Sequence, residues 1–337
     1  MEIKIDPQAK TAIYRQIVLY IQQGIREGLF KGGDMLPSMN ELAAKQRISK
    51  ETVKKAYGIL VDMGDIVPKQ GKGFYIATAE EGSRPHILLI FDKFSVYKQI
   101  VYNAFQERLG TDADITILNH NQSADLLEYY LDNYLDNYDY YVVSPHFPLD
   151  AHTQERVVKL LRRIPFRKLI LIDHLQPGLS GNFGAVYQDF GNDIYDCLSG
   201  IQLKDRLRVY TLPTSMYGPV ICSGVKRYAA QQGVTLEFMT APPEDIRRGD
   251  TFLILNSQLD AGLVALVRKI REKGLSIGED VKIISYNEYH MNELVLGGLT
   301  TVSADFPAMG RLAADMILSR TMSKVHCPFR MTRRSTF

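Results

Sequence analysis

The chain has 337 residues, 45% hydrophobic and 23% charged, with a formal net charge of +2. This is ordinary for a soluble globular protein but too long for one small core, so two or three domains are predicted. Cys197, Cys222 and Cys327 are too scattered for a disulfide framework or a zinc site, MEIKIDPQAK has no signal-peptide core, and the longest aliphatic runs, such as ILLIF at 87–91, cannot span a bilayer; a cytoplasmic protein with no membrane partner is expected.

Charge is unevenly placed. Residues 1–78 hold 12 Lys and Arg against 8 Asp and Glu, a net of +4, which leaves −2 for the rest. A basic module on a near-neutral body hints at nucleic acid. Ile13, Ile17, Ile21 and Ile25 recur every four residues and predict an amphipathic helix that ends near Gly32 and Gly33. Ser38 and Glu41 have the spacing of a capping box, opening a short helix over 39–46 with Met39, Leu42 and Ala43 inward. Ser49 is the expected N-cap of a third helix, which buries Val53, Ala56, Tyr57, Leu60 and Val61 and ends at Gly64. Residues 66–76 then read as a β-hairpin turning around Gly71–Gly73.

Helix, short helix, turn, helix and hairpin is the order of a winged helix-turn-helix. The stretches LPSMNELA, SKETVKKAYGILVDMG and QGKGFYIA resemble the DNA-binding domain of the GntR family of bacterial regulators over about residues 8–77. In such a motif the second helix enters the major groove and its first residues meet base edges. Lysines there reach guanine acceptors or phosphates, and a threonine bonds a base or phosphate or packs its methyl on thymine. The resemblance carries DNA contacts onto Asn40, Ser49, Lys50, Thr52, Lys54, Gln70 and Gly71. Met39 and Asn40 stand where the family often has Glu-Arg, so a phosphate-binding arginine is missing. Lys50 stands in place of a forked arginine. Glu51 sits in the same turn and is read as an acceptor for a cytosine amino group or as a residue facing the backbone.

TAEEGSRP (78–85) reads as a linker between a head at 1–77 and a body at 86–337. In the body, apolar runs at 86–91, 115–118, 140–143 and 168–172 alternate with helical stretches near 97–109, 124–137 and 150–163. A second series of strands at 209–212, 236–239, 251–255 and 281–285 alternates with helices near 216–232, 259–273 and 307–322. Repeated βα units with near-continuous apolar strands predict parallel sheets in two lobes, an α/β body behind an α+β head. Ligands of such sheets bind outside the carboxyl ends of the strands. Those ends carry Phe91, Asp92, His146, Asp173, Asp189, Tyr217, Asn256 and Asn287 as candidate ligand residues. Carboxylates and amides take hydroxyls, and aromatic faces pack on the C–H side of a sugar ring. Read singly, each is equally a turn or cap residue.

VKIISYNE, LTTVSADFPAMGRLAADMIL and the terminal RRST resemble the effector-binding core of the LacI family, which shares the periplasmic-binding-protein fold. The resemblance covers about 85–337 and places the family's ligand-contacting aspartate or asparagine on Asn287. Ile221 replaces a frequent arginine of the clamp, and Tyr217 is the candidate substitute. A GntR head on a LacI-like body resembles the arabinose-repressor type and carbohydrate-operon regulators of Bacteroidetes. It implies a homodimer that reads a pseudo-palindromic operator and responds to a small sugar, L-fucose first and L-arabinose second. A phosphorylated sugar, served by Lys93 and His146, stays open. A GntR head on an enzyme body that holds pyridoxal phosphate needs more residues than remain here. No HExxH, GxSxG or glycine-rich phosphate loop is present, so neither catalysis nor a cofactor or metal is expected. A transport component is opposed by the missing signal peptide and by the head.

Overall fold

The computed structural model describes residues 3, 5–6, 9, 11–62, 65–69, 71–77, 84–111, 113–135, 137–203, 205–212, 216–255 and 261–337. The chain divides into two units, Met1–Arg84 and Pro85–Phe337.

The first unit runs α1 (Ile13–Arg26), α2 (Met39–Gln46), α3 (Lys50–Asp62), β1 (Ile66–Lys69) and β2 (Gly73–Ile76). The four-residue repeat puts Ile17 and Ile21 of α1 in full burial against Val53, Ala56, Tyr57 and Leu60 of α3, while Ile13, Ile25, Met39 and Val61 sit partly buried at the rim. Ser38 accepts the Glu41 N–H at 3.2 Å, and Glu41 in turn accepts the Ser38 N–H at 2.8 Å, completing the capping box. The Tyr57 hydroxyl donates to the Pro37 carbonyl at 2.7 Å, tying α3 to the turn before α2. β1 and β2 pair antiparallel from Ile66↔Ile76 to Lys69↔Gly73. Gly71 and Gly73 have φ of +72° and +100°, which is why glycine stands at both positions. Gly64, expected to close α3, and residues 78–83 of the expected linker lie outside the described residues.

The second unit begins with β3 (His86–Phe91), α4 (Val96–Leu109), β4 (Asp114–Asn119), α5 (Ala124–Tyr134), β5 (Tyr140–Val143), α6 (Ala151–Leu161), β6 (Leu169–Asp173) and β7 (Gly184–Tyr187). The chain then forms α7 (Phe190–Ser199), β8 (Arg206–Tyr210), α8 (Gly218–Gln232), β9 (Thr235–Met239), β10 (Thr251–Ile254), α9 (Ala261–Glu272), β11 (Lys282–Tyr286) and β12 (Thr300–Ala304). It closes with α10 (Phe306–Leu318), β13 (Lys324–His326) and β14 (Phe329–Thr332). Two six-stranded sheets result, ordered β13-β7-β6-β5-β3-β4 and β14-β12-β11-β10-β8-β9. All neighbours pair parallel except β14, which runs antiparallel to β12. Each sheet is covered on both faces, so central strands such as β6 and β8 are buried at every position.

The chain crosses between the lobes three times: after β7, between β12 and α10, and between β13 and β14. α10 therefore packs in the first lobe against α4, although it follows a strand of the second. Gly310 permits this close approach, because a Cβ there would collide with the backbone of Val101 and Phe105 on α4. The sequence pattern predicts neither β7, α7, β13 nor β14, and it runs α5 and α10 a few residues past their observed ends.

Candidate nucleic-acid face and interlobe cleft

On the head, Ser49 accepts the Thr52 N–H at 3.1 Å and lies 2.7 Å from the Thr52 hydroxyl, so it caps α3. Ser49, Lys50 and Lys54 are exposed around this first turn and Thr52 is half-buried. Lys54 makes a loose pair with Glu51 at 3.9 Å, both side chains well exposed. Lys55, by contrast, lies 4.0 Å over the Tyr14 ring and so packs onto α1. Asn40 is exposed in the first turn of α2, and Gly71 is exposed at the hairpin tip. Gln70 lies outside the described residues. Arg47, exposed and left-handed at φ +53°, forms the turn into α3 and has no counterpart among the residues expected from sequence.

In the body, the carboxyl ends of β3, β5, β6 and β7 bring a polar cluster together around Lys98 of α4. The Lys98 ammonium donates to the Ser144 hydroxyl at 2.8 Å and to Asp173 Oδ2 at 2.6 Å, and it stands 3.7 Å from Asp92 Oδ1. Lys98 and Asp92 are each only 1% exposed. Neither Asp92 oxygen has a hydrogen-bond partner among the described residues. Gln188 donates to Asp173 Oδ1, and His146 Nδ1 lies 3.8 Å from Asp173 Oδ2, beyond hydrogen-bond range. Asp173 itself has φ of +83°, a conformation that turns the chain sharply at the end of β6. Burial disfavours the Lys98 charge, yet the Asp173 and Asp92 carboxylates outweigh it and raise its pKa. Burial works equally against the Asp173 charge; Lys98 overrides it and holds that carboxyl well below the usual range.

Aromatic groups close the cluster from the other lobe. The Tyr217 ring, just before α8, lies 4.2 Å from His146 and 4.8 Å from both His174 and Phe190. His174 Nδ1 contacts the Leu175 carbonyl at 2.9 Å, so it carries the proton and Nε2 accepts from the Tyr217 hydroxyl at 2.7 Å. Burial keeps this imidazole neutral, with a pKa lowered to about 4. His120 is likewise lowered to about 4 by burial. Its Nδ1 accepts the Gln122 N–H at 3.0 Å, its Nε2 donates to the Ser144 carbonyl at 2.9 Å, and its ring stacks on Phe147 at 4.0 Å. Tyr97, beside Lys98, stacks on Phe306 at 5.3 Å. That ring leads into a cavity of about 270 Å³ whose lining includes Ile100, Glu288, Tyr289, Asp305, Phe306 and Arg334.

The structure thus gathers Asp92, His146, Asp173 and Tyr217. Phe91 is fully buried in the sheet core, with its ring centroid 5.7 Å from the Lys98 ammonium. Asp189 is exposed and caps α7, accepting from the Asn192 side chain at 2.7 Å. Asn287 ends β11 at φ +73°; its N–H donates to the Val302 carbonyl at 2.8 Å, and Glu288 and Tyr289 after it line the cavity. Asn256 lies outside the described residues. Lys98, His174, Gln188 and His120 were not singled out from sequence. Lys98 occupies the buried stripe of α4 with Val101, Phe105 and Leu109.

Residues 13–76 match the model for bacterial regulatory proteins of the gntR family, and residues 225–336 match that for a periplasmic binding protein-like domain. The HTH-type transcriptional repressor YtrA of Bacillus subtilis is 41% identical over 75 residues, 22% of this chain and 58% of YtrA. Two further helix-turn-helix relatives are matched over 33% and 28% of their own length. The arabinose metabolism transcriptional repressor of Geobacillus stearothermophilus is 22% identical over 90% of both chains. Among solved structures, the trehalose repressor from Escherichia coli superposes with a TM-score of 0.59 at 12% identity, over 74% of this chain and all of that one. A lac repressor dimer bound to operator superposes with 0.56 at 15%, over 77% and 95%. The chain therefore joins a helix-turn-helix head that matches the gntR family to a two-lobed body with the periplasmic-binding-protein-like fold.

Proposed function

We propose that the protein is a sequence-specific transcriptional regulator of a carbohydrate-utilisation operon, switched by a small sugar held between the two lobes of its body. The observation that carries the reading is a buried hydrogen-bonding cluster at the strand ends of a two-lobed body, in a chain whose head exposes the start of α3. Asn40, Ser49, Lys50, Thr52, Lys54, Gln70 and Gly71 are the proposed DNA contacts. Asp92, His146, Asp173 and Tyr217 are proposed to hold the sugar, and Asn256 and Asn287 are proposed as further contacts. The lac repressor neighbour is a dimer on operator, and a homodimer reading a pseudo-palindrome is proposed here too. L-Fucose and L-arabinose are the first sugars to test, and the similarity to an arabinose metabolism repressor along nearly the whole chain supports the second.

A sugar can alter DNA affinity only by its different affinity for two shapes of the protein. The test is to select a binding sequence from a random duplex pool, then titrate protein onto it with and without each sugar. A change of five-fold or more in DNA affinity with one sugar is expected. Selection that returns no enriched sequence would refute the DNA-binding half, and unaltered affinity with every sugar would refute the sensing half.

A further inference from the structure

Taking the effector reading of the cleft as given, we infer that Asp92 and Lys98 together clasp one neutral hydroxyl of the effector, and that the site selects an uncharged polyhydroxy compound over its phosphate ester or its amine. Two observations lead there. Both Asp92 oxygens are buried acceptors with no hydrogen-bond partner among the described residues, although such groups are normally paired. The Lys98 ammonium has three protons; Ser144 and Asp173 take two, and the third faces a 3.7 Å gap to Asp92, too long for a direct bond.

A group seated at that gap must donate to a carboxylate and accept from an ammonium at once. A hydroxyl does both. A phosphate oxygen accepts from Lys98 but brings a second anion against Asp92. An ammonium donates to Asp92 but repels Lys98. The neighbouring groups point the same way: two buried carboxylates lie around one ammonium, and a phosphate would crowd a further anion against them. Gln188 adds a further unpartnered acceptor, Oε1, which suits a ligand rich in hydroxyl donors. Lys98 is also the one member of the cluster carried on α4, which packs along α10, so a hydroxyl gripped there is felt by the helix pair as well as by the strand ends.

The experiment is thermal shift followed by calorimetric titration of the full chain with L-fucose, L-arabinose, D-galactose and D-xylose, with the phosphate monoesters of the same sugars, and with D-galactosamine. Asp92→Asn is measured alongside wild type. A free sugar should bind at least ten-fold more tightly than its ester and than the amine. Asp92→Asn breaks no hydrogen bond of the cluster and leaves Lys98 bonded to Asp173, so it should still unfold cooperatively without ligand, yet lose at least ten-fold in affinity for that sugar. Tightest binding by an ester or the amine, or an unchanged affinity in Asp92→Asn, would overturn the clasp while leaving the effector reading in place. No response to any compound would remove the effector reading and the clasp with it.

Discussion

Lys50, Lys54 and Lys55 lie within two turns of α3 but face different surroundings. Lys55 covers Tyr14, whereas Lys50 and Lys54 project from the capped end of the helix. Lys50→Ala and Lys54→Ala should each weaken binding to the selected duplex and lower the slope of log affinity against log salt by about 1 if the contact is to a phosphate. A base contact would instead relax preference at one position of the half-site at a cost of about 1–3 kcal/mol. The sugar-induced thermal shift should survive both changes; loss of both activities together would argue against separate sites. Lys98 behaves differently because its partners are buried. Lys98→Met leaves Asp173 and Asp92 without a countercharge, and a loss of about 3–5 kcal/mol in urea unfolding is expected. Asp92→Asn removes no hydrogen bond from the cluster, so the two substitutions should have unlike effects on stability although they touch the same gap.

At the level of elements, the α4–α10 pair depends on an approach too close for any side chain at position 310. Gly310→Ala should force the helices apart and cost about 1–3 kcal/mol, read as a lower urea midpoint with unchanged m-value. The Ser38 cap is a more local matter, and Ser38→Ala should cost about 1 kcal/mol in the stability of the head. This contrast also explains what was legible in the sequence. The capping box, the stripe of α3 and the hairpin glycines are set by residues within about ten positions, so periodicity and turn chemistry suffice. The strand ends were legible too, because parallel βα units direct them to one edge, and Asp92, His146, Asp173 and Tyr217 do meet there. Lys98 was not, because it bonds residues 46 and 75 positions away and a single cation on an apolar stripe looks like a rim residue. β13 and β14 escaped for a related reason. Each has four residues or fewer, and β13 pairs with β7 far back in the chain, so only tertiary pairing makes them strands.

At the level of the whole second unit, two imidazoles are held neutral in its interior, and this fixes the sign of its pH dependence. His120 and His174 have pKa values lowered to about 4 from an ordinary 6.5. Between those limits the unfolded chain binds protons on both that the folded chain does not, so stability rises with pH through this window and falls as pH drops from 6.5 toward 4. Each contributes roughly 3 kcal/mol across the full window, fully present above pH 6.5. Asp173, held low by Lys98, adds its own loss only below the carboxylate range, whereas Asp193, raised by burial, opposes the trend at the acid end. Urea unfolding at pH 7, 6 and 5 at constant ionic strength should therefore show a steady decline, and His120→Gln should remove about half of the slope. The same protonation bears on the lobes, because His174 accepts the Tyr217 hydroxyl through Nε2 and a charged imidazole has no lone pair to do so. Effector affinity should accordingly weaken over the same pH range in wild type. In Tyr217→Phe, affinity is expected to be lower at pH 7 and to vary less with pH, because the bond that acid breaks is already missing. A pH profile of the same steepness in Tyr217→Phe would show that the His174–Tyr217 contact does not couple the two lobes.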